Sequence, residues 1–83
     1  MTSKYLSFEL IPNNRKTQTY GVRNKHDGYF LGEIKWNGRW RQYCFYPRED
    51  CVWSAGCLED VVSLLKELMD EWRKKKRLSG AYA

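Results

Sequence analysis

The sequence predicts an α+β fold, an antiparallel β-meander of three to four strands packed on one C-terminal amphipathic α-helix. Three observations predict it. The first half alternates apolar with polar residues, the pattern of half-buried strands. Two turn dipeptides, Asp27-Gly28 and Asn37-Gly38, punctuate that half. From Leu58 onward the apolar residues recur at steps of three and four, which is the spacing of one helical stripe.

Residues 3–11 place Leu6, Phe8 and Leu10 on one face of a first strand and Tyr5, Ser7 and Glu9 on the other. Pro12, Asn13 and Asn14 end it, because proline cannot donate to a ladder and asparagine favours turns. Residues 17–24 form a second strand with Tyr20 and Val22 as its inward pair. Lys25-His26-Asp27-Gly28 is a turn in which glycine supplies a positive φ.

Residues 29–36 and 39–46 read as a hairpin closed by a two-residue turn at Asn37-Gly38. That register pairs Trp36 with Arg39 and Ile34 with Arg41. One face then carries Phe30, Ile34, Trp36, Tyr43 and Phe45 as core, with Arg39 and Arg41 at its hairpin end. The other carries Tyr29, Leu31, Glu33, Lys35, Trp40, Gln42, Cys44 and Tyr46. The connection over 47–56 holds a candidate short strand at Cys51 to Trp53. Ser54 or Gly56 starts a helix to about Lys76, with Leu58, Val61, Val62, Leu65, Leu68, Met69 and Trp72 as its stripe. Glu59 and Asp60 are expected in its first turn and the basic run in its last, both favourable to the helix dipole. Residues 1–78 make a single domain, and 79–83 are expected to fray.

The chain carries Leu31-Gly32, Ile34, Trp36, Trp40-Arg41-Gln42-Tyr43, Phe45, Pro47, Cys57-Leu58 and Asp60. Over roughly residues 20–70 this pattern resembles a family of small uncharacterised proteins of bacterial genomes, phages and mobile elements. The resemblance implies a sheet-plus-helix fold and a mobile-element setting, and it transfers no activity or site.

Eighty-three residues allow one small core, so thirteen aromatic rings (three Phe, six Tyr, four Trp) must divide between core and surface. No apolar run approaches the length of a membrane span, and no basic-then-apolar leader opens the chain, so a cytoplasmic protein is expected. The net charge of +5 is unevenly spread. Residues 1–46 hold eight Lys/Arg against three acidic residues, 47–72 two against seven, and Arg73, Lys74, Lys75, Lys76 and Arg77 follow in a run. Such a field draws anions to the strand half and not to the acidic helix.

Catalysis has little to build with. The one histidine, His26, sits in a turn, and no Gly-rich phosphate loop is present. Cys51 and Cys57 lie near the helix start, where a thiol pKa can fall, but neither has a base nearby in sequence. The spacing of Cys44, Cys51 and Cys57 matches no zinc motif, so reduced thiols, no metal and no cofactor are expected. The chain therefore reads as a binding protein, not an enzyme.

Lys35, Arg39, Trp40, Arg41, Gln42 and Tyr46 are the candidate ligand-binding residues. Rings beside guanidinium groups suit stacked bases and phosphates together. The plainer alternative makes Trp40 a cover for the sheet edge and leaves the arginines solvated. Arg73, Lys74, Lys75, Lys76 and Arg77 are weaker candidates for nucleic-acid contact, since basic helix ends are commonly just solvated. Two partners fit: a nucleic acid or nucleotide on a basic, aromatic sheet, or a host protein held through Trp40 and Tyr46 by a small inhibitor or anti-defence protein.

Overall fold

In the computed structural model, which describes residues 3–78, the alternating half of the chain forms four strands. They are β1 (Leu6–Ile11), β2 (Thr19–Asn24), β3 (Phe30–Asn37) and β4 (Gln42–Pro47). All neighbours pair antiparallel in the order β1-β2-β3-β4, and α1 (Ala55–Leu78) packs on one face. The α+β fold read from the sequence is the fold observed. The expected fraying of 79–83 lies outside the described residues. Among the described residues no helix is long and apolar enough to cross a membrane.

The core joins one residue from each strand, Leu6, Val22, Ile34 and Tyr43, to Val61, Leu64 and Leu68 of α1. Aromatic contacts brace both ends. Trp36 packs on Trp72 with ring centroids 4.9 Å apart, and Phe45 meets Trp53 edge-on at 4.8 Å. Ser3 ties the start of the chain to the helix by donating to the Asp60 carboxylate while accepting the Leu6 N–H at 3.0 Å. Ser54 caps the helix, its hydroxyl accepting the Cys57 N–H at 3.2 Å. Gly28 closes the β2–β3 turn with φ 73°, as the Asp-Gly step predicts.

Five expectations are corrected. Tyr43, not Arg39, pairs with Trp36, and Phe45, not Arg41, pairs with Ile34. The two-residue turn would have set arginines among the core residues, where an unpaired charge is costly. The pairing moves by an even number of residues, so Trp36, Ile34, Tyr43 and Phe45 keep the core face. Second, a bulge on β3 opposite Val22/Arg23 exchanges Phe30 and Leu31. Leu31 joins the core, whereas Phe30 lies on the outer face under the Arg23 guanidinium.

Third, the apolar stripe is rotated. Leu64, absent from the expected set, is buried, while Leu58 and Val62 are 43% and 45% exposed. Leu10 is likewise 55% exposed, because β1 lies at the sheet edge away from β4, the strand on which the helix chiefly packs. Fourth, residues 51–53 form no strand. Fifth, α1 starts at Ala55, which puts Glu59 and Asp60 beyond its first turn.

Candidate functional site

A meander returns alternate connections to the same end of the sheet. The β1–β2 connection (12–18) and the β3–β4 loop (38–41) therefore share one end. The last turns of α1 reach that end too, since Trp72 packs on Trp36 and Arg73 lines a cleft with Gln42. Three separate basic segments are thus gathered: Arg15 and Lys16, Arg39 and Arg41, and Arg73, Lys74 and Lys75, all exposed. Lys76 lies with its ammonium 4.5 Å from the Trp72 ring centre. Asp70 offsets Arg73, at 3.4 Å. The opposite end is mixed, with Asp27, Glu49, Asp50, Glu59 and Asp60 against Lys4, Lys25 and Arg48.

The β3–β4 loop is built around Asn37. Its Oδ1 accepts the backbone N–H of Arg39 and of Trp40, each at 3.0 Å, and its carbonyl accepts the Arg41 N–H at 2.8 Å. Its Nδ2 donates to the Tyr46 hydroxyl at 3.0 Å. Asparagine thus organises the loop through its side chain, a role it shares with Asp and Ser at the first position of a turn. Left-handed backbone falls on Arg41, φ 55°, and not on Gly38. This frame holds Trp40 65% exposed at the tip, with the exposed Arg39 and Arg41 as its neighbours in the chain.

Arg41 pays a conformational cost that glycine avoids and a β-branched residue worsens. Arg41→Gly is expected to melt higher than Arg41→Val, by about 1–2 kcal/mol in stability. Equal stabilities from urea titration would contradict the left-handed geometry.

The structure divides the candidate residues. Arg39, Trp40, Arg41 and Gln42 stand together at the tip. Lys35 and Tyr46 do not join them. They engage each other on the outer sheet face, with the ammonium 4.8 Å from the ring centre and Glu33 3.9 Å from it. Arg73, Lys74, Lys75 and Lys76 approach the tip from the helix; the Arg77 side chain lies outside the described residues. Arg15 and Lys16 were missed, although the parity of loops in a meander was available to place them beside 38–41.

Aligned over 71 residues, the chain is 34% identical to an "Uncharacterized 9.3 kDa protein" of Acholeplasma phage L2, covering 84% of this chain and 91% of the phage protein. The chain belongs to that small phage protein family. No protein-family model matches it, and no solved structure does.

In this phage family member burial makes the Cys44 thiol a poor nucleophile. Cys44, Cys51 and Cys57 are free and half-buried, and burial pushes the Cys44 thiol above its ordinary pKa, which disfavours the nucleophilic thiolate. Among the described residues no group of three His, Cys, Asp or Glu side chains could hold a metal ion. The Tyr20 phenol is pushed up by burial and then by the Glu71 carboxylate, so it stays protonated and donates to Gln18 Oε1 at 3.4 Å.

Proposed function

We propose that this chain is a non-enzymatic, phage-type binding protein that holds nucleic acid at its basic end, within the host cytoplasm. One observation carries the reading: three basic segments distant in sequence share one end of the sheet with an exposed Trp40 held on an Asn37-bonded loop. The surface is an end of the molecule and not the sheet face that the two-residue turn implied. Cations there neutralise phosphates, and the Trp40 ring offers a stacking face that every base can use. A lone nucleotide carries too few phosphates to engage all three segments, so an oligonucleotide is the expected ligand.

Titration of single-stranded oligonucleotides and a nucleotide panel at two salt concentrations tests this. For roughly four phosphate contacts, log affinity should fall against log salt with a slope of about −3. Trp40→Ala should weaken binding by about 1–3 kcal/mol, tenfold or more, and leave the fold intact. Replacing Arg15 and Lys16 with Gln should flatten the slope by about 1–2, an effect that a sheet-face site would not show. Absence of binding at low salt would end the proposal. The second reading, an inhibitor or anti-defence protein acting on a host protein, would then rest on the same exposed Trp40, because Tyr46 is already engaged by Lys35 and Asn37.

A further inference from the structure

We infer that the open edge of β4 and the adjoining flank of α1 form a docking groove for an extended segment of a partner protein, apolar at alternate residues and acidic where it meets the hairpin end. This site adjoins the basic tip, sharing Gln42 and Arg73 with it, and goes beyond nucleic-acid binding.

β4 ends the sheet, so among the described residues one side of its backbone has no neighbouring strand. The register turns the backbone of Gln42, Cys44 and Tyr46 toward β3 and that of Tyr43 and Phe45 outward. The outward Tyr43 N–H donates to the Met69 sulfur at 3.3 Å. A thioether is a weak acceptor, and a peptide carbonyl from an added strand would replace it with a strong one. Pro47 has no N–H and closes the ladder at the far end.

The helix supplies the second wall. Its flank beside β4 is apolar: Leu58 and Val62 are exposed, and Leu65 and Met69 are half-buried. Its other flank is acidic, with Asp60 bonded to Ser3 and with Glu67 and Glu71 beside Tyr20. The apolar arc is therefore wider than the sheet can cover, and the excess falls on the β4 side only. Between that flank and the start of β4 lies a cleft of ≈ 290 Å³ lined by Val62, Leu65 and Met69. Alternate side chains of an added strand would point into it.

Charge selects the occupant's polarity. Lys66, Asp70 and Arg73 line the cleft at the hairpin end; Asp70 pairs with Arg73 at 3.4 Å, which leaves the Lys66 ammonium as the excess charge of the lining. Glu49, Asp50 and Glu59 lie toward the other end. The partner segment thus carries its acidic residue beside Lys66. The β1 edge is also open, but the helix flank nearest it is the acidic one, so it lacks the apolar wall.

A panel of capped seven-residue peptides, alternating Val and Thr with Glu or Lys at either end, tests the inference by amide hydrogen exchange on the whole chain. At about ten times Kd a binding peptide should slow exchange at Tyr43 and Phe45 by about tenfold. A Glu-bearing peptide should bind more tightly than its Lys counterpart. Val62→Asp should abolish the protection at an unchanged melting temperature. Protection of the wild-type amides stands as evidence on its own if that variant fails to fold. Absence of protection with every peptide at millimolar concentration would overturn the inference, as would protection confined to β1. A concentration-dependent dimer lost in Val62→Asp would overturn it too, by assigning the groove to a second copy of the chain.

Discussion

Leu68→Ala should remove about 2–5 kcal/mol of stability. Leu68 is 3% exposed and shares the core with Val61, Leu64, Ile34 and Val22, so truncation leaves a cavity facing two strands. A domain of this length holds roughly 4–12 kcal/mol in all. The variant should therefore lose at least about a sixth of its stability and, at the low end, unfold. The control comes from the same helix: Leu58→Ala, at an exposed position, should change stability by about 0.5 kcal/mol or less. Urea midpoints measure both. A Leu68→Ala midpoint equal to that of the parent would mean that α1 does not dock on the sheet.

Gly32→Ala should be nearly as damaging for a different reason. A Cβ at Gly32 would sit 2.6 Å from the Tyr46 carbonyl oxygen and 2.9 Å from the Pro47 Cα. Both are backbone atoms of the paired strand, held by the β3–β4 ladder, and neither can swing aside. The neighbouring Arg48 N–H to Leu31 carbonyl bond, 2.9 Å, would be strained with them. Overpacking of this kind costs about 1–3 kcal/mol, and the rigid neighbours place Gly32→Ala at the upper end. Gly38→Ala meets nothing within 4 Å and should be close to neutral. Gly21→Ala meets the movable Ile11 side chain at 3.3 Å and should fall between them. If Gly32→Ala and Gly38→Ala unfold at the same urea concentration, β4 does not lie where the register puts it.

Period-two alternation, turn dipeptides and the later helical spacing were enough to set the fold class, the four strand regions and the helix, because these depend on neighbours in the chain. Val22, Ile34, Tyr43, Val61 and Leu68 entered the core as expected for the same reason. Local pattern failed wherever a distant surface decided. Asn37-Gly38 signalled a tight turn, but core packing favoured Phe45 over Arg41 opposite Ile34, and the loop lengthened to let the arginines out. Leu58 and Val62 satisfied the helical period as well as Leu64 did, yet only the direction in which the helix crosses the sheet chose which were buried. The charge of each basic block could be counted from residues alone, but their meeting at one end required the meander and the Trp36–Trp72 contact. Composition and periodicity are properties of short stretches and survive any docking, whereas a site built from two loops and a helix end exists only after long-range packing has brought them together.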